Sequence, residues 1–229
     1  MIEDKRSLPR TIHLFIIKLF LSLWHGLHFG PVKKKILGKT FLLLPGVFLP
    51  YGVATSKFMA KNLMVKEGDQ VLDVGTGSGI QSIFAAGLAR KVVATDINPK
   101  SILCVKINAK LNGVESKVEA RLGNLFSSIK SNEKFDLIIF NFPYLPFDPK
   151  SSLERAWCGG RGGSVVSSFL KEVKGFLGEK GRLQMVYSSA AGDVEKFLET
   201  LRSAGFNAKI LAWKYLPFEK LALIYAVKS

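Results

Sequence analysis

Cysteine and histidine are scarce in this chain of 229 residues, and acidic side chains are well outnumbered. Two cysteines, Cys104 and Cys158, cannot build a disulfide framework and match no metal-ligand spacing. The three histidines, His13, His25 and His28, all fall within the first thirty residues. Reduced thiols and no metal are therefore expected. Internal repeats and low-complexity linkers are missing too, so the length suits one domain of catalytic size plus extensions. Against 33 Lys+Arg there are only 18 Asp+Glu, a net charge of +15, which favours an anionic partner such as RNA, a ribosome, an acidic protein or an anionic membrane surface.

An uninterrupted apolar run of spanning length is also absent. Residues 12–29, IHLFIIKLFLSLWHGLHF, are broken by Lys18, Ser22, His25 and His28. At about 100° per residue these four share one side of a helix and leave Leu14, Phe15, Ile16, Leu19, Leu23 and Leu27 to the rest. Basic residues flank it at both ends, Lys5, Arg6 and Arg10 before and Lys33, Lys34 and Lys35 after, so the charge asymmetry that would orient a crossing helix is lacking. Three readings stay open: a helix that caps the catalytic domain or receives substrate, a helix lying on a membrane surface through residues 10–35, and a true anchor. Lys18 splits the apolar stretch and no small-residue cleavage site precedes Pro31, so no secretory signal is expected. The expected location is the cytoplasm, with peripheral membrane contact as an additional expectation.

What is present begins at about residue 70. Short β-rich runs alternate with helical patterns, the mark of a parallel sheet covered on both faces. QVLDV (70–74), KVVAT (91–95), KVEARL (117–122), FDLIIF (135–140) and RLQMVYS (182–188) read as strands. Helices are expected between them, one carrying Ile80, Ile83, Phe84 and Leu88, one capped by Asn98 with Pro99 in its first turn, and one ending at Gly178. The last two runs, AKILAWKYL (208–216) and LALIYAV (221–227), are separated only by PFEK, too short for a crossover helix, so this pair must be antiparallel. A seven-stranded, mostly parallel α/β sheet with a C-terminal antiparallel hairpin is the Rossmann-like arrangement of class I methyltransferases. Residues 1–47 are expected to form an N-terminal amphipathic helical extension and residues 48–229 the catalytic domain.

The stretch VLDVGTGSGI puts Asp73, Gly75, Thr76, Gly77 and Gly79 where a strand turns into a helix, with glycines that let a ligand approach the backbone. The spacing G-x-G-x-G differs from a dinucleotide fingerprint, and a leading carboxylate does not suit a pyrophosphate. A ligand with a cationic amino group, a sulfonium and no phosphate does suit it, and S-adenosylmethionine is such a ligand. Asp96 ends the second strand, 23 residues after Asp73, where it can accept hydrogen bonds from ribose hydroxyls. Ile97 can cover a ring face, and Asn124 and Leu125 of LGNLF stand where this fold would meet an adenine.

FDLIIF is followed at once by NFPY, residues 141–144. Taken in order, VLDVGTGSG, TDINP, GNLF and FDLIIFNFPY resemble the methyltransferases that carry the N-P-P-Y motif, over about residues 48–229. ERAWCGGRGG (154–163) makes the chain most similar to the HemK-type release-factor glutamine methyltransferases. That resemblance implies methylation of a planar nitrogen, with a protein glutamine, such as one in a release factor, as preferred target; a base amine of RNA or DNA, or a small molecule at a membrane surface, are the alternatives. It also implies that the Asn141 side-chain oxygen and the Phe142 carbonyl accept the N–H groups of the target, beside Pro143, while Tyr144 stacks on it. Phe142 replaces the usual first proline, so the corner is expected to be less rigidly preset. LPYGVATS (49–56) lacks the acidic residue many such enzymes carry there. Trp157 and the glycines at 159, 160, 162 and 163 are expected to form a mobile flap with Arg161 free for an anion or carbonyl, and Cys158 to be a small packing residue.

Overall fold

A computed structural model describes residues 10–50, 54–217 and 219–229. Lys5 and Arg6 of the expected basic flank, the 51–53 part of LPYGVATS, position 218 of PFEK and the side chains of Arg10 and His13 lie outside what it describes.

The elements, in chain order, are α1 (Arg10–Gly26), β1 (Val32–Ile36), β2 (Lys39–Leu43), α2 (Ala54–Lys61), β3 (Gln70–Val74), α3 (Ile80–Ala85), β4 (Lys91–Asp96), α4 (Pro99–Leu111), β5 (Val118–Leu122), β6 (Phe135–Phe140), α5 (Ser164–Phe176), β7 (Leu177–Ser188), α6 (Val194–Ser203), β8 (Phe206–Tyr215) and β9 (Lys220–Lys228). Seven strands make one sheet in the order β5-β4-β3-β6-β7-β9-β8. The first five run parallel, and β9 is antiparallel to both β7 and β8. This is the architecture anticipated from the pattern of runs. From β3 the chain moves outward through β4 to β5 and then returns to the other side of β3 as β6, so the crevice beyond the strand ends at β3, β4 and β6 is the switch point where such folds take ligands.

The central strands are buried on both faces, which is why they read as continuous apolar runs. Leu72, Val74, Ile138 and Phe140 pack with Phe169, Val173, Leu183 and Leu201 on one side. Val71, Leu137 and Ile139 pack with Met59, Ala85, Ala89, Val186 and Leu223 on the other. Each such aliphatic side chain removed from water contributes about 1.5–3 kcal/mol. Asn98 caps α4 through its side chain, which accepts from the Lys100 amide, and Pro99 occupies the first turn.

Three local departures have physical causes. The helix α3 stops at Ala85, and Leu88 stands 54% exposed instead of continuing the stripe, because the chain leaves the helix in a turn where the Gly87 amide donates to the Phe84 carbonyl and the Leu88 amide to the Ala85 carbonyl. The strand β7 begins at Leu177, not Arg182, because Leu177 pairs with Phe135 across an irregularity in the ladder. Residues 32–43 form a β-hairpin where only helix was expected. Its two-residue turn, Leu37-Gly38, has both φ positive, the geometry that closes antiparallel strands tightly. Two side-chain amides, Asn108 in α4 and Asn112 at its C-cap, finish the hairpin's edge: Asn108 Oδ1 accepts from the Leu42 amide and its Nδ2 donates to the Leu42 carbonyl, and Asn112 does the same for Thr40. No helix among the described residues is long and apolar enough to cross a membrane.

The helix α1 packs against the segment after β6. Leu14 and Leu21 pack with Leu145, Trp157 and Cys158. Its Lys18 pairs with Glu154 at 3.2 Å, and His25 accepts through Nε2 from the Leu49 amide at 3.0 Å while its Nδ1 donates to the Leu21 carbonyl.

Candidate active site

A cavity of about 370 Å³ opens beyond the ends of β3, β4 and β6. Asp73, Gly75, Thr76, Gly77, Asp96, Ile97, Asn124, Leu125, Asn141, Phe142, Pro143 and Tyr144 all line it, so the residues singled out in the sequence converge on one place. Gly79 stands behind the wall: a Cβ there would lie 3.1 Å from Val105 Cγ2, so its lack of a side chain lets α3 and α4 approach. Gly75 and Gly77 have φ of 64° and 57°, the left-handed conformation that glycine adopts without strain.

Two carboxylates fix the loop. Asp73 Oδ2 accepts from Thr76 Oγ1 at 2.7 Å, from Ser82 Oγ at 2.6 Å and from the Ser82 amide at 3.1 Å. Burial nonetheless pushes its carboxyl up to about 6, with Ser82 and Thr76 opposing the rise and Asp96 adding to it. Asp96 Oδ2 accepts from the Gly77 amide and Oδ1 from the Asn98 amide, each at 2.8 Å. Burial raises its carboxyl as well, against those hydrogen bonds. Leu125 holds φ at 49°, a strained value for a residue with a side chain, and its carbonyl accepts from Thr95 Oγ1. Ile97 and Leu125 thus offer apolar surface on one side of the two carboxylates.

At the other side, Asn141 leaves the end of β6 and its Nδ2 donates to Ser56 Oγ of α2 at 3.3 Å. With the amide nitrogen directed at α2, the carbonyl oxygen is the end left for the cavity. Phe142 is not a loosened corner. It is buried among Phe140, Phe197 and Tyr187, with ring centroids 5.7, 5.6 and 6.1 Å away, so packing fixes the backbone that a proline ring would otherwise have preset. The Tyr144 hydroxyl is hydrogen-bonded to Ser188, which itself bonds Glu219; burial above all, and the Glu219 charge next, hold that phenol well above its usual range.

The glycine-rich segment is a brace, contrary to the expected mobile flap. The Leu145 amide donates to the Trp157 carbonyl, the Gly159 amide to the Leu145 carbonyl and the Gly160 amide to the Phe147 carbonyl. Trp157 is 3% exposed and sits against the His25 ring at 4.8 Å. A Cβ at Gly159 would collide with the Pro143 carbonyl oxygen, so glycine there permits the close contact with NFPY. Arg161 is largely exposed and pairs with Asp148 at 3.0 Å. The Cys158 thiol, pushed up to about 11 mainly by burial, stays protonated and serves as packing, as expected.

Sequence reasoning missed several residues of the wall, among them Leu21, Phe48, Ser56, Gln81 and Arg155. Gln81 Oε1 is a buried acceptor with no partner among the described residues. Only LPYGVATS hinted at Ser56, and it was read for the carboxylate it lacks. A buried carboxylate beside left-handed glycines, a second carboxylate at the next strand end, an apolar rim and an orphaned acceptor together fit a ligand with a cationic amine, ribose hydroxyls and a flat apolar base.

Residues 57–142 match the family model of the ribosomal protein L11 methyltransferase (PrmA). A Methanocaldococcus jannaschii protein, provisionally named a protein N5-glutamine methyltransferase, is 36% identical over 198 residues, 84% of this chain and 97% of that protein. Human methyltransferase HEMK2 is 29% identical over 168 residues, 69% of this chain and 77% of its own length. Among solved structures, the T. thermophilus 16S rRNA N2 G1207 methyltransferase RsmC in complex with AdoMet and guanosine shares the fold, with a TM-score of 0.61 and 23% identity over 87% of this chain and 50% of that one. By its identity over nearly the full length of the M. jannaschii relative, this chain is a methyltransferase and belongs to the HemK-type protein N5-glutamine methyltransferase family.

Proposed function

We propose that the chain transfers a methyl group from S-adenosylmethionine to the side-chain amide nitrogen of a glutamine in a protein, with a release factor as the preferred substrate. The observation that carries this reading is the convergence of the Asn141–Phe142 corner and the Asp73–Asp96 pair on one cavity. Asp73, Gly75, Thr76 and Gly77 would hold the amino acid end of the cofactor, Asp96 the ribose, and Ile97, Asn124 and Leu125 the base. When bound, the cofactor supplies an electrophilic methyl group on a sulfonium.

The protein's part is placement. An amide nitrogen is a weak nucleophile with a delocalised lone pair, and the corner offers acceptors rather than a base. The proton that the nitrogen gives up as its new N–C bond replaces the donor's C–S bond therefore passes to water. Asn141 Oδ1 and the Phe142 carbonyl take the two N–H groups, which turns the nitrogen's lone pair away from them, and Pro143 and Tyr144 bound the flat amide. Ser56 keeps the Asn141 oxygen forward. We take residues 1–47 as an extension and 48–229 as the catalytic unit, working in the cytoplasm.

Incubating candidate release factors with the chain and S-adenosylmethionine, followed by peptide mass spectrometry, should show one added methyl group on a glutamine. No methylated glutamine in any of them overturns the substrate. The +15 charge supports a second reading, a base amine of RNA. Labelled methyl transfer to RNA, with binding that falls steeply as salt rises, would establish that reading in place of the first.

A further inference from the structure

The helix α1 carries apolar side chains on its outer face as well as its inner one. Inward, Leu14 and Leu21 are buried beside Lys18, which pairs with Glu154 and lies 5.3 Å from the Phe147 ring centre, and His25, which is 5% exposed and bound to Leu49. A second set of large apolar residues points outward. Ile12, Phe15, Ile16, Leu19, Phe20, Leu23 and Leu27 range from 46% to 70% exposed, and Phe29 just beyond reaches 86%. Spacings of three, four and seven place them on one continuous face. A contiguous apolar surface of this kind marks a contact, because water gains nothing from it.

Charge selects the occupant. Between Asp4 and Glu67 the sequence holds no acidic residue, while Lys33, Lys34 and Lys35 follow the helix directly in β1 and are exposed there. An apolar stripe followed in the chain by an acid-free, lysine-rich segment is complementary to a bilayer surface with anionic headgroups, where acyl chains meet the stripe and phosphates meet the lysines. No helix among the described residues is long and apolar enough to cross a membrane, and α1, with its exposed apolar face, has the form of a helix that lies in the interface.

We infer that the outer face of α1, with Lys33 and Lys35, docks the protein onto an anionic lipid surface. Because Leu21 on the inner side of the same helix lines the cavity, the docked helix is also part of the active-site wall. That coupling rests on the function proposed above, whereas the docking itself does not.

Co-sedimentation of the full chain with phosphatidylcholine vesicles, with and without phosphatidylglycerol, tests this. Binding should be about tenfold or more stronger with phosphatidylglycerol and should weaken as salt is added. The pair Leu19→Glu and Leu23→Glu should abolish binding, and Lys33→Glu with Lys35→Glu should remove the preference for anionic lipid. Circular dichroism and calorimetric cofactor titration of each variant should match the parent, since none of these side chains lines the cavity. No sedimentation with either vesicle overturns the inference, as does equal binding to both. It is likewise overturned if analytical ultracentrifugation shows a dimer that Leu19→Glu and Leu23→Glu dissociate while vesicle binding is nil, for then a second copy covers the face. Failure to methylate any release factor would leave the vesicle result intact, so the two conclusions fall separately.

Discussion

Asn141 and Ser56, 85 residues apart in the chain, meet at 3.3 Å through a hydrogen bond from Nδ2 to Oγ. The bond decides which end of the Asn141 amide faces the cavity. Removing it frees the side chain to turn its nitrogen toward the substrate, where a donor would meet a donor. Ser56→Ala should lower kcat by about tenfold, the worth of one net hydrogen bond, with cofactor affinity unchanged. Asn141→Ala, which deletes the acceptor itself, should cost about 10²–10³ in kcat. Steady-state methylation rates beside calorimetric cofactor titration separate the two effects.

Gly159 allows the brace to touch NFPY, and any side chain there meets the Pro143 carbonyl oxygen. Gly159→Ala should displace the corner, reducing kcat by more than about tenfold, while Gly162→Ala, with open space around its Cβ position, should do much less to kcat. Parallel rate measurements on the two variants check the contrast. Gly162 has φ of 64°, so its variant should lose about 1 kcal/mol of stability from strain alone, visible as a small fall in Tm.

Asp73, raised to about 6, gives cofactor binding a pH dependence of definite sign. Above that value the carboxylate is charged and attracts an ammonium group; below it the carboxyl is neutral and the attraction fades. Affinity for S-adenosylmethionine should therefore fall as pH drops from 7.5 to 5.5, and Asp73→Asn should bind weakly with a flatter profile. Titration calorimetry across that range would show it. For folding the sign is opposite. Between the ordinary aspartate value and about 6, the folded state binds the proton that the unfolded state has lost, so this group favours folding as pH falls.

His25 works the other way. Burial, aided by His28 and resisted by the Leu21 carbonyl, holds its imidazole below the ordinary 6.5. Under that pH the unfolded chain takes up a proton the folded state resists, so the seating of α1 should weaken as pH falls below about 6.5. Limited proteolysis at pH 5.5 and 7.5 should show faster cleavage within residues 10–31 at the lower pH, and His25→Ala should be cleaved readily at both.

The sheet and the glycine loop were legible because period-two and period-3.6 patterns and turn chemistry are local. The missed hairpin had a local signal too, Leu37-Gly38, but three lysines in VKKKI hid the strand. What could not be read were relationships across distance. The side of α1 that faces inward depends on Glu154 and Leu49, not on its own amphipathicity. Phe142 looked like a loss of rigidity until Phe140, Tyr187 and Phe197 enclosed it, and Gly159 and Gly160 looked mobile until their amides found Leu145 and Phe147. Of the site, the motif residues were visible and Ser56 was not, because its meaning lies in a partner from another element.

The pairing of β2 with the amides of α4 has a bearing on how the molecule could be shortened. The helix α4 starts beside Asp96, and Asn108 within it and Asn112 at its C-cap hold Leu42 and Thr40. A chain trimmed of everything before residue 48 would strip Ile80, Ile83 and Ala109 of their cover and leave Asn108 bonded to the Ser78 carbonyl without its Leu42 partner. The opening segment therefore behaves as a keystone for the donor-binding half, and a truncated enzyme would be expected to lose solubility before it lost specificity.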